Sequence, residues 1–259
     1  MNSIDKKFRE LAGRGDKALM PYFTAGFPSL EETVSIACAA EEAGADMLEL
    51  GVPFSDPVAD GPIIQYSSFK ALESGVNQDR IFKICGTLKR SLGIPYLLMT
   101  YYNPVYRYGV ERFFNRCCET GVSGLIIPDL PYEEAAPAYR LAGRLGISLI
   151  QFISLTTDDA RADKIAAKAS GFLYFVTVAG VTGPREGITG AAVTKMKSMK
   201  KRTGMPLAAG FGISGTSQIK RIKPYADGII VGSLFTKYII DDKMGALWET
   251  IRRFKEALI

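Results

Sequence analysis

Leu48-Glu49-Leu50-Gly51-Val52-Pro53-Phe54-Ser55-Asp56-Pro57-Val58-Ala59-Asp60-Gly61-Pro62 is the stretch from which the rest of the chain can be read. It opens as a short apolar strand with one carboxylate, Glu49, embedded in it. A charged side chain in a buried parallel strand is costly unless it is paired or used. The strand then breaks into a segment stiffened by Pro53, Pro57 and Pro62, which carries two more acids, Asp56 and Asp60. A helix follows from Ile63. An acid at a strand end therefore faces an acid on the next loop, within one β-α unit.

The same unit recurs outward in both directions. Apolar runs near 19–24, 47–50, 96–100, 124–127, 147–152, 172–176, 207–209 and 228–231 read as strands. Helix-period segments at 30–43, 63–74 with 79–92, 110–120, 133–145, 158–169, 191–203 and 214–220 lie between them, and 243–258 closes the chain. Ser29 with Glu32 three residues on has the form of a capping box. Gly44, Gly93, Gly121, Gly146, Gly171 and Gly204 stand where helices stop. Regular alternation with near-continuous apolar strands means a parallel sheet covered on both faces. Eight such units in 259 residues favour a single α/β domain over 1–259, a (β/α)8 TIM barrel, with an open doubly wound sheet as the alternative. Ile4, Phe8 and Leu11 share a helical face, so an extra N-terminal helix is expected to cover the barrel bottom. A further helix follows strand two.

Composition narrows the chemistry. At 47% hydrophobic the chain has ample core material. Its 32 basic and 27 acidic side chains leave a net charge of +5. The densest basic cluster, Lys195 to Arg202, reads as a solvated helix face and not a nucleic-acid patch. A mildly positive field still favours an anionic small molecule. The four cysteines lack CxxC spacing, so neither a zinc site nor a disulfide framework is expected, and a reducing, cytoplasmic setting fits them. No apolar run reaches membrane-span length, and the first residues carry no signal-peptide pattern. There is no histidine. Acid–base work must therefore fall to carboxylates, tyrosine, lysine or cysteine.

In a barrel of this kind the chemistry sits on the loops after the strands. The loop from Val178 to Gly190, after strand six, is long and glycine-rich and reads as a lid. Gly210-Phe211-Gly212-Ile213-Ser214 and Gly232-Ser233 follow strands seven and eight, where this fold cradles phosphate against a short helix N-terminus. Thr100-Tyr101-Tyr102-Asn103-Pro104 follows strand three, and Tyr22 and Tyr174 lie within strands one and six. Tyrosines at several strand ends suit a flat aromatic ligand with polar handles, although each also fits an ordinary barrel core. A metal aldolase would normally use histidine, and a Schiff-base aldolase needs a strand lysine; neither residue is present in that role. Metal-free proton transfer by Glu49 and Asp60 remains. The plainer alternatives are a paired strand acid for Glu49 and an Asp-Gly-Pro turn for Asp60.

Over essentially its whole length the sequence resembles the tryptophan synthase alpha subunit family. The match is carried by residues 48–57 and 59–62 of the opening stretch, by Gly180-Val181-Thr182-Gly183, Pro128-Asp129-Leu130-Pro131 and Gly210-Phe211-Gly212-Ile213-Ser214, and by Gly232-Ser233. The resemblance implies retro-aldol cleavage of indole-3-glycerol phosphate to indole and glyceraldehyde 3-phosphate. It implies Glu49 as the acid–base group, Asp60 at the indole N–H, and Tyr174 as an active-site tyrosine. Tyr22, Met99, Tyr101, Ile126 and Phe152 match the indole pocket, and Thr182 the lid. Gly183, Phe211, Gly212, Gly232 and Ser233 match the phosphate site. The resemblance further implies no cofactor in this chain. Its partner would be a beta subunit carrying pyridoxal phosphate in an αββα complex, reached through Asp56, the 53–60 loop and the 128–131 turn. Phe27, Tyr22, the 152–156 stretch and Pro184 depart from common members. A freestanding lyase and a binding subunit with little turnover are the other functions the sequence allows.

Overall fold

A computed structural model of the protein describes residues 2–177, 188–210 and 212–259. Eight parallel strands close into a barrel in sequence order: β1 (Ala18–Thr24), β2 (Leu48–Gly51), β3 (Tyr96–Met99), β4 (Gly124–Ile126), β5 (Ser148–Ser154), β6 (Leu173–Val176), β7 (Leu207–Gly210) and β8 (Gly228–Val231). The ring closes through β8 against β1, Ala18 standing opposite Gly228.

The helices preceding β4 are α1 (Ser3–Arg14), α2 (Leu30–Glu42), α3 (Pro62–Glu73), α4 (Gln78–Ser91), α5 (Tyr102–Tyr108) and α6 (Val110–Glu119). Those after it are α7 (Ala136–Leu145), α8 (Asp159–Lys168), α9 (Gly190–Arg202), α10 (Thr216–Ile222), α11 (Ser233–Ile240) and α12 (Met244–Leu258). The N-terminal helix and the extra helix after strand two are thus both present, as α1 and the α3–α4 pair. Ser29 caps α2 by accepting from the Glu32 amide at 3.1 Å, but among the described residues the reciprocal half of a capping box is not made.

Three helices depart from the sequence reading. α5 occupies what reads as a loop, because Pro104 falls in the first helical turn, where a missing N–H costs nothing. α7 starts at Ala136 and not Glu133: a helix begun at Glu133 would need the amide that Pro137 lacks. α11 is a two-turn helix rich in Phe235, Tyr238, Ile239 and Ile240, types that by themselves favour strands; burial of Phe235, Thr236 and Ile239 decides it.

Side chains alternate across each strand. On β1 Ala18, Met20 and Tyr22 point into the barrel, while Leu19 and Phe23 face the helices. On β2 the same alternation sends Leu48 and Leu50 outward and Glu49 inward, between Met47 and Gly51. Strand periodicity alone therefore places the embedded carboxylate inside the barrel. α1 seals the bottom: Ile4 and Phe8 join the interior cluster, and Asn2 Nδ2 donates to the carbonyls of Ser123 at 2.8 Å and Gly146 at 2.5 Å.

Asp46, just before β2, ties the C-terminal helix to the sheet. Its buried carboxylate accepts from the Leu19 amide at 2.8 Å and from Lys255 Nζ of α12 at 2.9 Å. Removing one partner strands the other charge and an amide. Asp46→Ala is expected to lower unfolding free energy by about 2–4 kcal/mol, measured by denaturant titration, with turnover unchanged; a loss within experimental error would assign the tether to packing alone.

Candidate active site

Glu49 sits on the second strand at the level of Tyr22 and Leu97 of its neighbours. It is 2% exposed and its Oε2 has no hydrogen-bond partner among the described residues. Burial first, and the charge of Asp60 second, push its carboxyl up to about 8. Glu49 is therefore a neutral acid at pH 7.

Asp60 comes from the proline-stiffened loop. Its amide donates to the Pro57 carbonyl, and its own carbonyl accepts from Gln65 Nε2 of α3. Pro62 occupies the first turn of α3, so the loop passes directly into a helix. Tyr101 holds the acid in place: its hydroxyl accepts from the Ala59 amide at 3.0 Å and donates to Asp60 Oδ2 at 2.9 Å. The Tyr101 ring rests against Phe54 of the same loop, centroids 5.2 Å apart. Burial lifts the Asp60 carboxyl to about 6, and the bond from Tyr101 opposes that rise. The two acids thus separate at neutral pH into one proton donor and one anion.

Tyr101→Phe removes that opposing bond, together with the one the hydroxyl accepts from the Ala59 amide. The Asp60 carboxyl should then move further up, and the acidic limb of the kcat/KM profile should shift to higher pH. An unmoved limb would mean that Asp60 ionisation does not control the step.

Two further tyrosines reach the same space. A Cβ on Gly51 would overlap the Tyr22 hydroxyl, and one on Gly210 would overlap that of Tyr174. Glycine at these two strand ends is what admits the phenols. Both hydroxyls are held well above their ordinary pKa, first by burial and then by the carboxylates, Asp60 for Tyr22 and Glu49 for Tyr174. Both phenols therefore remain protonated. Met99 and Ile126 line the interior below, and Phe152 packs on Tyr174 with centroids 4.7 Å apart. Thr24 and Ser67, whose hydroxyls meet at 2.6 Å beyond Tyr22, join β1 to α3. Nothing in the sequence pattern singles them out.

Gly212, at φ +74°, and Gly232-Ser233 follow β7 and β8. Gly232 lies against the Tyr22 ring, the position of a Cβ there being 3.4 Å from Tyr22 Cβ. The glycine turn after β8 and the two acids therefore flank one tyrosine, Tyr22. α11 begins without a side-chain cap, which leaves first-turn amides for an anion. Thr182, Gly183 and Phe211, with the rest of 178–187, lie outside the described residues.

The family model described as tryptophan synthase alpha chain matches residues 8–257. The chain belongs to the tryptophan synthase alpha chain family. The alpha chain of Thermoanaerobacter sp. strain X514 is 45% identical over 239 residues, 92% of this chain and 91% of that protein. That of Methanosarcina barkeri is 45% identical over 241 residues, 93% and 90% of the two chains. Among solved structures, the Legionella pneumophila alpha chain superposes with a TM-score of 0.90 at 32% identity, covering 100% of this chain and 97% of that one. A Mycobacterium tuberculosis tryptophan synthase in an aminoacrylate-bound form does so with a TM-score of 0.90 at 27% identity, covering 100% of both.

Alpha chains of this family carry no cofactor; pyridoxal phosphate belongs to the beta chain. Among the described residues no group of three or more cysteine, aspartate or glutamate side chains is placed to hold a metal ion. No described helix is long and apolar enough to cross a membrane.

Proposed function

We propose that Glu49 is the acid–base group and Asp60 the cation-stabilising carboxylate of the reaction this family performs, retro-aldol cleavage of indole-3-glycerol phosphate. The reaction itself follows from family membership; the roles are those the family resemblance implies, and the burial and unequal proton affinities of the two acids support them. Glu49, neutral and with one oxygen unpartnered among the described residues, gives its proton to the ring carbon that bears the glycerol chain. The resulting cation is an iminium at the ring nitrogen, and Asp60, anionic at pH 7, accepts the N–H there. The carbon–carbon bond then breaks toward the iminium and restores the aromatic ring. The carbinol O–H loses its proton to Glu49 as the aldehyde forms, so one proton is delivered and one returned. Tyr22, Met99, Tyr101, Ile126 and Phe152 would bound the ring, and Tyr174 would flank Glu49. Gly212, Gly232 and Ser233 would hold the phosphate, joined by Thr182, Gly183 and Phe211 from outside the described residues.

The observation that carries this reading is the pairing of two buried carboxylates with unequal proton affinity at one mouth. Indole release from indole-3-glycerol phosphate by the isolated chain tests it. No indole with or without a beta subunit would remove the assignment.

The partner we propose is a tryptophan synthase beta subunit in an αββα complex, in the cytoplasm. A cavity of about 500 Å³ beside the Asp60 loop supports this face; Pro53, Phe54, Asp56, Asn103, Pro104 and Arg107 line it. Val58 and Tyr106 stand 74% and 68% exposed, apolar surface suited to a protein partner. Asp129 of the 128–131 turn accepts from the Tyr102 amide at 2.8 Å, which joins that turn to the same region. Indole release that rises when a beta subunit is added supports the complex; an unchanged rate with no co-elution favours a freestanding lyase.

A further inference from the structure

Gln218, on α10, makes four hydrogen bonds around the turn after β7. Its Oε1 accepts from the Ser214 amide at 2.7 Å, the Gly215 amide at 3.0 Å and the Ser214 hydroxyl at 3.3 Å. Its Nε2 donates to the Gly212 carbonyl at 2.9 Å. The first three bonds cap a helix. The fourth does something a cap does not require: it fixes the direction of one peptide plane.

The Gly212 carbonyl and the Ile213 N–H belong to the same planar trans peptide and point in opposite directions. Drawing the carbonyl toward Gln218 therefore turns the Ile213 N–H away from α10. That amide donates to no group among the described residues. Gly212 has φ +74°, a conformation that glycine also leaves readily, so the plane needs an external hold. At the seven-residue α10 the amides of Ser214 and Gly215 are already taken by Gln218. Among the described residues, the first amides of the uncapped α11 and the amide of Ile213 are not.

We propose that Gln218 is a positioning residue for substrate, which aims the Ile213 amide at the phosphate by anchoring the Gly212 carbonyl. This rests on the reading that the turns after β7 and β8 hold the phosphate. Gln218 itself touches no substrate.

The test separates aiming from capping. Gln218→Ala removes both. Gln218→Glu keeps the acceptor for Ser214 and Gly215 but has no donor for Gly212. For each, KM and kcat with indole-3-glycerol phosphate, the Kd of glycerol 3-phosphate, and Tm are measured against the parent at low and high salt. The expected result is KM and Kd up about tenfold in both variants with kcat within about twofold, the signature of lost ground-state binding. Gln218→Glu should keep the parent Tm. High salt screens its added charge but cannot restore the donor, so its ratio to the parent should persist. If Gln218→Ala lowers Tm while KM and Kd stay put, or if the Gln218→Glu effect vanishes in salt, Gln218 is a cap and nothing more. Ser233→Asp serves as the control on the phosphate reading, since an acid at that helix start repels phosphate while suiting the helix. If it leaves glycerol 3-phosphate binding intact, the phosphate is held elsewhere and the role of Gln218 falls with it. If it weakens binding and the Gln218 variants do not, only the role of Gln218 fails.

Discussion

Glu49→Gln should cut turnover by roughly 10²–10⁴, the usual loss on removing a general acid–base group, while glycerol 3-phosphate binds as before. The side chain is nearly isosteric and its site is enclosed, so the pocket has no reason to collapse. What disappears is a proton. Burial and Asp60 hold the Glu49 carboxyl at about 8, so the parent enters the reaction already protonated, whereas an amide gives no proton to carbon. The pH profile carries the same assignment. In the parent, kcat/KM should fall below about 6 as Asp60 takes up a proton and above about 8 as Glu49 loses one. Residual activity in Glu49→Gln should lack the alkaline limb. Full activity in that variant, or an alkaline limb that survives it, would move the acid to another residue.

That Glu49 could be singled out from sequence has a local cause. A carboxylate between leucines on a four-residue strand is anomalous by itself, and strand alternation then decides which way it points. Tyr101 carries no comparable signal. Its bond to Asp60 spans 41 positions and depends on how two loops meet. In the sequence Tyr101 is one of several tyrosines near strand ends. Gln218 is less legible still, since a glutamine early in a helix reads as surface, and its hold on Gly212 exists only once the turn is formed. The helices follow the same division. Long, periodic segments such as α2, α4 and α12, the first two followed by a glycine, are legible within a residue or two. α5 and α11 are short, and the packing that stabilises them comes from distant parts of the chain. Tyr174 and Phe152 are legible as strand residues, but their tilted ring contact waits on the β5–β6 register.

Glu49→Gln should also make the protein more stable, by an amount set by pH. The Glu49 carboxyl lies at about 8 in the folded chain against an ordinary value of 4.5. Below about 4.5 the group is protonated whether the chain is folded or not, and it adds no pH dependence. Between 4.5 and 8 the unfolded chain releases the proton and the folded chain retains it. The unfolded state then binds fewer protons, so unfolding free energy falls as pH rises. Above 8 both forms are ionised and the loss is complete. Asp60, raised to about 6 from 3.8, adds to the slope in the lower half of that window. Glutamine does not titrate, so the variant escapes the Glu49 share of the loss. Denaturant unfolding of parent and variant should coincide near pH 4.5 and diverge through neutrality. The gap should reach on the order of 2–5 kcal/mol by pH 8–9, as a multi-unit shift in a fully buried group demands. A gap independent of pH would assign any stabilisation to packing. A variant less stable than its parent at pH 8 would mean that the Glu49 carboxylate is satisfied in the folded chain, and then the neutral acid on which the proton transfer depends would not exist.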